Sequence, residues 1–305
     1  MIITVFPGQG SQTPGFLSPW LDVPGVRAAL ERYSDDAHVD LIAAGTEWDA
    51  DRIRDTRVAQ PLIVAASLVS FTALTAAGAR PSGVAGHSVG EIAALVAAGV
   101  LSDTDGMSLV GLRGRAMAEA AAIEPTGMSA VLGGDQDAVL ARLAELDLTP
   151  ANYNGGGQIV AAGSLSALAE LGAEAPKATR VIPLQVAGAF HTRFMAPAVD
   201  TLRAAAADVA VTDPHSTLWT NHDGTPVSDG RTALNLVVDQ VASPVRWDLC
   251  MTSFADNGVT GIIELAPAGT LVGLAKRALR GVPGVAVKTP DDLAAATALL
   301  TGADA

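Results

Sequence analysis

Apolar and polar positions fall into short blocks along the chain, and most blocks read as strands that feed helices. Residues 1–6 form an apolar opening run with no basic leader or cleavage site, and they predict a first strand. Pro7-Gly8-Gln9-Gly10-Ser11-Gln12 follows as a loop in which backbone can approach a ligand; it lacks the Lys-Ser/Thr ending of a phosphate loop. An Ala-rich helix is expected over 24–32, then a charged segment to Arg57. A long helix is expected over 59–77, with Pro61 near its start, where proline is tolerated. Ser67, Ser70, Thr72 and Thr75 interrupt its apolar run, which predicts a buried helix and not a membrane span. Gly83-Val84-Ala85 then leads into Gly86-His87-Ser88-Val89-Gly90-Glu91 and a further helical run.

The next helix is expected over 103–122 with Asp103 as its cap. Met107, Val110, Gly114, Met117 and Ala121 form its inward stripe, and Arg113 lies on that same side, with Arg115 nearly opposite. An inward arginine is costly unless an anion meets it, so Arg113 is either part of an internal salt bridge or an anion receptor. From Gly127 the pattern becomes strand 128–132, helix 135–145 capped by Asp135, strand 148–154, a triple-glycine turn, and strand 158–162. A helix capped by Ser164 and a strand over 179–184 complete the order βαββαβ, the ferredoxin-like unit. Residues 126–191 are therefore expected as a small domain inserted into a larger α/β domain made of 1–125 and 192–305.

Beyond it, helix 195–207, strand 216–220, the polar turn Asn221-His222-Asp223-Gly224, helix 233–242, the segment 243–247, a second helix to about Asn257, strand 261–265 and helix 271–279 follow in turn. A final helix is expected over 291–305. Strands alternating with helices predict a mostly parallel sheet covered on both faces.

At 305 residues, 49% hydrophobic and 17% charged, the chain has the composition of a globular protein with a substantial core. A net charge of −13 argues against a nucleic-acid partner and leaves an anionic substrate to a local basic patch. The lone Cys250 excludes an internal disulfide and a cysteine metal cluster, and a cytoplasmic address is expected.

Glycines two residues either side of Ser88 make the nucleophile-elbow pattern, which sets a serine hydroxyl at a helix N-terminus beside free N–H groups. A serine nucleophile needs a base, and the chain offers five histidines. His38 lies in a charged surface segment, and His87, next to Ser88, points away from it at a tight turn. His215 and His222 have Asp213 and Asp223 nearby and suit a Ser-Asp-His order, whereas His191 has no adjacent acid. Spacing leaves these three open.

Several segments, in order, carry a resemblance: 7–12, Ala59-Gln60-Pro61, 86–91, Leu112-Arg113-Gly114-Arg115-Ala116-Met117, Gly188-Ala189-Phe190-His191, and Gln240 followed by Ser243-Pro244-Val245. Together they resemble the malonyl-CoA:acyl carrier protein transacylases over about 1–279. That resemblance implies an α/β-hydrolase-like large domain with a ferredoxin-like insert. It also implies transfer of malonyl from malonyl-CoA to the phosphopantetheine thiol of acyl carrier protein, for fatty acid or polyketide synthesis. No metal or permanently bound cofactor is implied.

Residue by residue, the resemblance implies Ser88 as acyl acceptor and His191 as general base, oriented by the backbone carbonyl of Gln240. It implies the backbone N–H groups of Gln9 and Val89 as the oxyanion hole and Arg113 as receiver of the malonyl carboxylate. Phe190 before the histidine and Val89 after the serine match malonyl-selective relatives. Ala266-Pro267-Ala268-Gly269 departs from the family's Gly-Pro-Gly-Lys. The carrier is acidic, and Lys276, Arg277 and Arg280 are candidates for docking it. A serine thioesterase or hydrolase on the same elbow, a transferase of another acyl-CoA, and a docking module with an idle elbow are the alternatives.

Overall fold

The opening apolar run is strand β1 (Ile2–Phe6), almost wholly buried, in a computed structural model that describes residues 1–302. Helices α1 (Val26–Ala37), α2 (Leu41–Thr46) and α3 (Thr56–Thr75) follow. The segment expected to be merely charged thus contains α2, which Asp40 caps by accepting the Ala43 N–H. Asp55 caps α3 in the same way, accepting the Arg57 N–H, so this helix begins three residues before the expected Ala59. Pro61 therefore lies inside the helix and not in its first turn. Among the described residues α3 alone is long and apolar enough to cross a membrane, and most of it is buried inside the protein.

Strand β2 (Gly83–Gly86) runs into α4 (Gly90–Ala97), and α5 (Asp103–Ala121) follows. The cap of α5 is Ser102, not Asp103: the Ser102 hydroxyl accepts the Asp105 N–H at 3.0 Å, which leaves Asp103 in the first turn. Helices α3 and α5 touch at Gly114, where a Cβ would stand 2.8 Å from the Thr56 carbonyl oxygen.

The chain then builds β3 (Thr126–Gly133), α6 (Gln136–Glu145), β4 (Thr149–Gly155), β5 (Gln158–Ser164), α7 (Leu165–Ala173) and β6 (Thr179–Pro183). Asp135 and Ser164 accept the Ala138 and Ala167 N–H groups as helix caps. The four strands pair antiparallel in the order β4-β5-β3-β6, and α6 and α7 bury Val139, Leu143, Leu168 and Leu171 against Val131, Ile159 and Ala161. This is the ferredoxin-like unit. It is tied to the rest by Tyr153 and Val245, whose N–H groups donate to the Val245 and Ala151 carbonyls at 2.9 Å each.

Helix α8 (Ala196–Ala207), strands β7 (Thr217–Trp219) and β8 (Pro226–Val227), and helices α9 (Gly230–Asp239) and α10 (Trp247–Asp256) come next. The Asp229 carboxylate caps α9, which starts it before the expected Ala233, and a 3-10 turn over Gln240–Ala242 ends it. Strand β9 (Gly261–Glu264), helix α11 (Thr270–Ala278), strand β10 (Gly284–Ala286) and helix α12 (Leu293–Thr301) complete the elements. The expected final helix reached Ala305; its last three residues lie outside the described residues.

The large sheet has the order β10-β9-β1-β2-β7-β8, parallel except for the antiparallel β8. Phe6 pairs with Gly86 and Val5 with Glu264, so β1, β2 and β9 end level with one another. The loops leaving these ends carry Gln9, Ser88 and the start of α11. Such sheets place ligands in the crevice beyond the carboxyl ends of their strands. The fold is α/β: an α/β-hydrolase-like frame, mostly parallel, with a ferredoxin-like insert.

Candidate active site

Three residues separate β2 from α4, and the glycines at both ends make that turn possible. A Cβ on Gly86 would fall onto the Gly90 carbonyl carbon, and one on Gly90 onto the Phe6 carbonyl oxygen. Between them Ser88 is held at φ 54°, in the left-handed region that L residues rarely occupy. Its hydroxyl faces a cavity of about 250 Å³ between the two sheets, which Gln9, Arg113, Phe190 and His191 also line.

Ser88 Oγ lies 2.7 Å from His191 Nε2, and His191 Nδ1 lies 2.8 Å from the Gln240 carbonyl oxygen. A carbonyl oxygen only accepts, so Nδ1 carries the proton and donates it, leaving Nε2 to accept from the Ser88 hydroxyl. The ring is buried, and burial first, then the charge of Arg113, lowers its pKa to about 3. The bond from Nδ1 to the Gln240 carbonyl opposes that fall. His191 is therefore neutral at physiological pH and able to take a proton. His38, His215 and His222 are exposed and line no part of the cavity.

Arg113 is buried on α5 with its guanidinium spread between two amides. Nη1 donates to Gln60 Oε1 at 2.6 Å and Nη2 to Gln240 Oε1 at 3.2 Å, while Nε has no partner among the described residues. Of the two sequence expectations, the internal salt bridge is absent: no carboxylate among the described residues lies within ion-pair distance of Arg113. Burial lowers its pKa to about 10, against the field of Glu91, so it stays cationic near neutral pH. A buried cation that lines a cavity and has no counter-ion within reach among the described residues is chemically able to receive an anion.

The first loop lies directly against the elbow: a Cβ on Gly8 would stand 2.9 Å from His87 Nδ1 and 3.0 Å from the His87 carbonyl oxygen. Among the described residues the backbone N–H groups of Gln9 and Val89 donate to no acceptor, and both residues line the cavity beside Ser88. The Gln9 side chain is turned away, toward the Arg54 carbonyl and Thr56 Oγ1 at 3.4 Å each. His87 points from the elbow to Asn154 Oδ1, 2.8 Å from its Nε2.

Two buried residues near this constellation drew no attention in the sequence. Glu91 accepts the Asn221 backbone N–H at 2.7 Å and a hydrogen bond from Gln240 Nε2. Burial raises its carboxyl pKa to about 8, with those two donors and Arg113 opposing. The Asn221 side chain accepts the Ser88 N–H at 2.8 Å. The only signals available were Glu91 within the elbow motif and Asn221 opening a polar turn after a strand.

Residues 3–292 match the acyl transferase domain family. The malonyl CoA-acyl carrier protein transacylase of Mycobacterium tuberculosis is 53% identical over 296 residues, covering 96% of this chain and 98% of that protein. The crystal structure of MCAT from the same organism superposes with a TM-score of 0.93 at 54% identity, covering 96% and 98% of the two chains. A type II PKS acyl-carrier protein complex with its malonyl-transacylase gives a TM-score of 0.91 at 31% identity, over 97% and 98%. With the acyl transferase match spanning nearly its whole length, this chain belongs to the malonyl CoA-acyl carrier protein transacylase family.

Proposed function

We propose that this chain transfers a malonyl group from malonyl-CoA to the phosphopantetheine thiol of acyl carrier protein, by way of a malonyl ester on Ser88. His191 Nε2 takes the Ser88 proton as the hydroxyl attacks the thioester carbonyl, a contribution of about 10²–10⁴-fold. The Gln9 and Val89 N–H groups receive the oxyanion, each for roughly 3 kcal/mol. The tetrahedral adduct collapses, the C–S bond breaks, and the proton on His191 passes to the leaving coenzyme A thiolate. The carrier thiol then gives its proton to His191 and attacks the ester; as the C–O bond to Ser88 breaks, His191 returns that proton to the Ser88 oxygen. Arg113 receives the malonyl carboxylate on the free edge of its guanidinium.

The observation that carries this reading is the Ser88–His191–Gln240 relay sharing one cavity with a buried arginine that has no carboxylate partner among the described residues. Phe190 and Val89 border the acyl end of that cavity and would set the preference for malonyl over branched extenders. Helix α11 lines it with Leu271 and Leu274 and exposes Lys276 and Arg277 on the next turn, with Arg280 just beyond, a basic rim for an acidic carrier. Residues 126–191 would act as the inserted domain that forms the cavity's second wall, against a frame of 1–125 and 192–305 in a cytoplasmic enzyme.

Weighing the intact protein after mixing with malonyl-CoA tests the reading. The expected result is one malonyl adduct on Ser88 that persists until a carrier thiol is added and that Ser88→Ala abolishes. Steady release of free malonate without an accumulating adduct would mean a hydrolase, and no adduct at all a docking module.

A further inference from the structure

Asn221 opens the turn after β7, lines no part of the cavity, and enters none of the steps above. It is fully buried, and its polar atoms are all engaged. Oδ1 accepts the Ser88 N–H at 2.8 Å and Gln240 Nε2 at 3.1 Å. Nδ2 donates to the Gly86 carbonyl at 2.8 Å and faces Cys250 Sγ at 3.7 Å. The backbone N–H donates to Glu91 Oε1 at 2.7 Å, and the backbone carbonyl accepts the Arg246 N–H at 2.9 Å. Ser88 N–H only donates and the Gly86 carbonyl only accepts, so the amide has one satisfactory orientation.

Two consequences follow for the reacting groups. The Asn221 amide spans the elbow from the last residue of β2 to the nucleophile, and so braces the left-handed backbone of Ser88 from outside the turn. The same oxygen holds the side chain of Gln240, whose backbone carbonyl fixes the tautomer of His191. Nucleophile and base thus share one anchor, although 103 residues separate them in the chain.

We propose that Asn221 is a positioning residue for acyl transfer: its side-chain amide keeps the Ser88 backbone and Gln240 in a single register, so that the hydroxyl and the imidazole meet at reacting distance in both half-reactions. The proposal rests on Ser88 being the acyl acceptor. Removing the amide leaves Arg113 its bond to Gln60, and Gln240, which also holds Arg113, keeps Glu91 as a partner for its Nε2; the cavity lining is intact, so the loss falls on kcat and not on recognition of the acyl group.

Rapid-quench mass spectrometry of Ser88 malonylation, and of transfer to the carrier thiol, is the test. Asn221→Ala should slow both steps by about 10²-fold, the scale of a misplaced reacting group, with KM for malonyl-CoA and malonyl-over-acetyl preference little changed. Asn221→Asp gives a second, independent signature. A protonated Asp can accept from Ser88 N–H and donate to the Gly86 carbonyl as the amide does; an ionised one cannot donate. Glu91 on α4 and Cys250 on α10 face it directly, and Arg113 on α5 and His191, whose ring stays neutral well into acid, are reached through Gln240. Its rate relative to the native chain should therefore climb about tenfold or more as pH falls from about 8 to about 5.

Wild-type acylation rates in Asn221→Ala, or a pH-independent rate ratio for Asn221→Asp, would overturn the proposal. If Asn221→Ala does not fold, the Asp variant decides alone. Failure of the native chain itself to form an adduct would instead remove the proposed function.

Discussion

Arg113 acts on the cavity in two ways, because the guanidinium that can receive a carboxylate also lowers the pKa of the His191 imidazole. Under the proposed function, a malonyl carboxylate seated on Arg113 would cancel that charge, so the substrate that fits would raise the basicity of His191, the proposed base. Arg113→Ala should therefore reduce malonyl transfer by about 10–150-fold, the equivalent of 1.5–3 kcal/mol for a charge-assisted contact. Acetyl transfer, which never used the contact, should hold or rise as His191 regains basicity. Measuring kcat/KM for both acyl-CoA esters checks this; equal losses would show that Arg113 only supports the fold. Its inward direction was legible in the sequence because α5 repeats its apolar stripe within a few turns. The partners were not legible: Gln240 lies 127 residues from Arg113, and Asn221 lies 133 from Ser88. No local pattern encodes a hydrogen bond between residues so far apart.

Elements read well wherever a cap or a period announced them, as Asp135, Ser164 and the triple glycine did for the insert. They read poorly where they are short. Strands β8 and β10 have two and three residues, too few to show alternation, and they are strands only because β7 and β9 offer them an edge. The glycines separate the local argument from the tertiary one. Gly86 ends β2 with no room for a methyl group against Gly90, whereas Gly172 is exposed within α7 with open space around its Cβ position. Gly86→Ala should destabilise by about 1–3 kcal/mol or prevent folding, since backbone and not a flexible side chain stands in the way. Gly172→Ala should stabilise by about 0.4–1 kcal/mol through lower unfolded-chain entropy and better helix propensity. Denaturant unfolding of the two variants measures both signs. A Gly86→Ala protein as stable as the native chain would mean that the strand and helix are not tightly joined.

On the scale of the molecule, a chain of net charge −13 hides several ionisable side chains in its interior, and burial shifts them in opposite senses. Glu91 is raised from 4.5 to about 8, so the folded protein holds its proton where the unfolded chain has released it. That contribution to stability is fully present below pH 4.5 and is lost as pH rises through about 8. His191 is lowered from 6.5 to about 3, and burial lowers His87 as well. Their contribution is fully present above pH 6.5 and is lost as pH falls. Between pH 4.5 and 6.5 the two effects oppose each other, and between 6.5 and about 8 the histidines no longer compensate Glu91. The native chain should therefore lose stability across that upper window, by at most about 1.4 kcal/mol per pH unit for one proton. Glu91→Gln, neutral at every pH, should flatten the slope there. The comparison is one of slope, because the substitution also changes what Asn221 and Gln240 bond to, and the raised Glu264 acts equally in both chains. Thermal unfolding of both proteins across that window supplies the measurement. Parallel curves would place an ionised Glu91 inside the fold, with Arg113, reached through Gln240, as the charge that keeps it so.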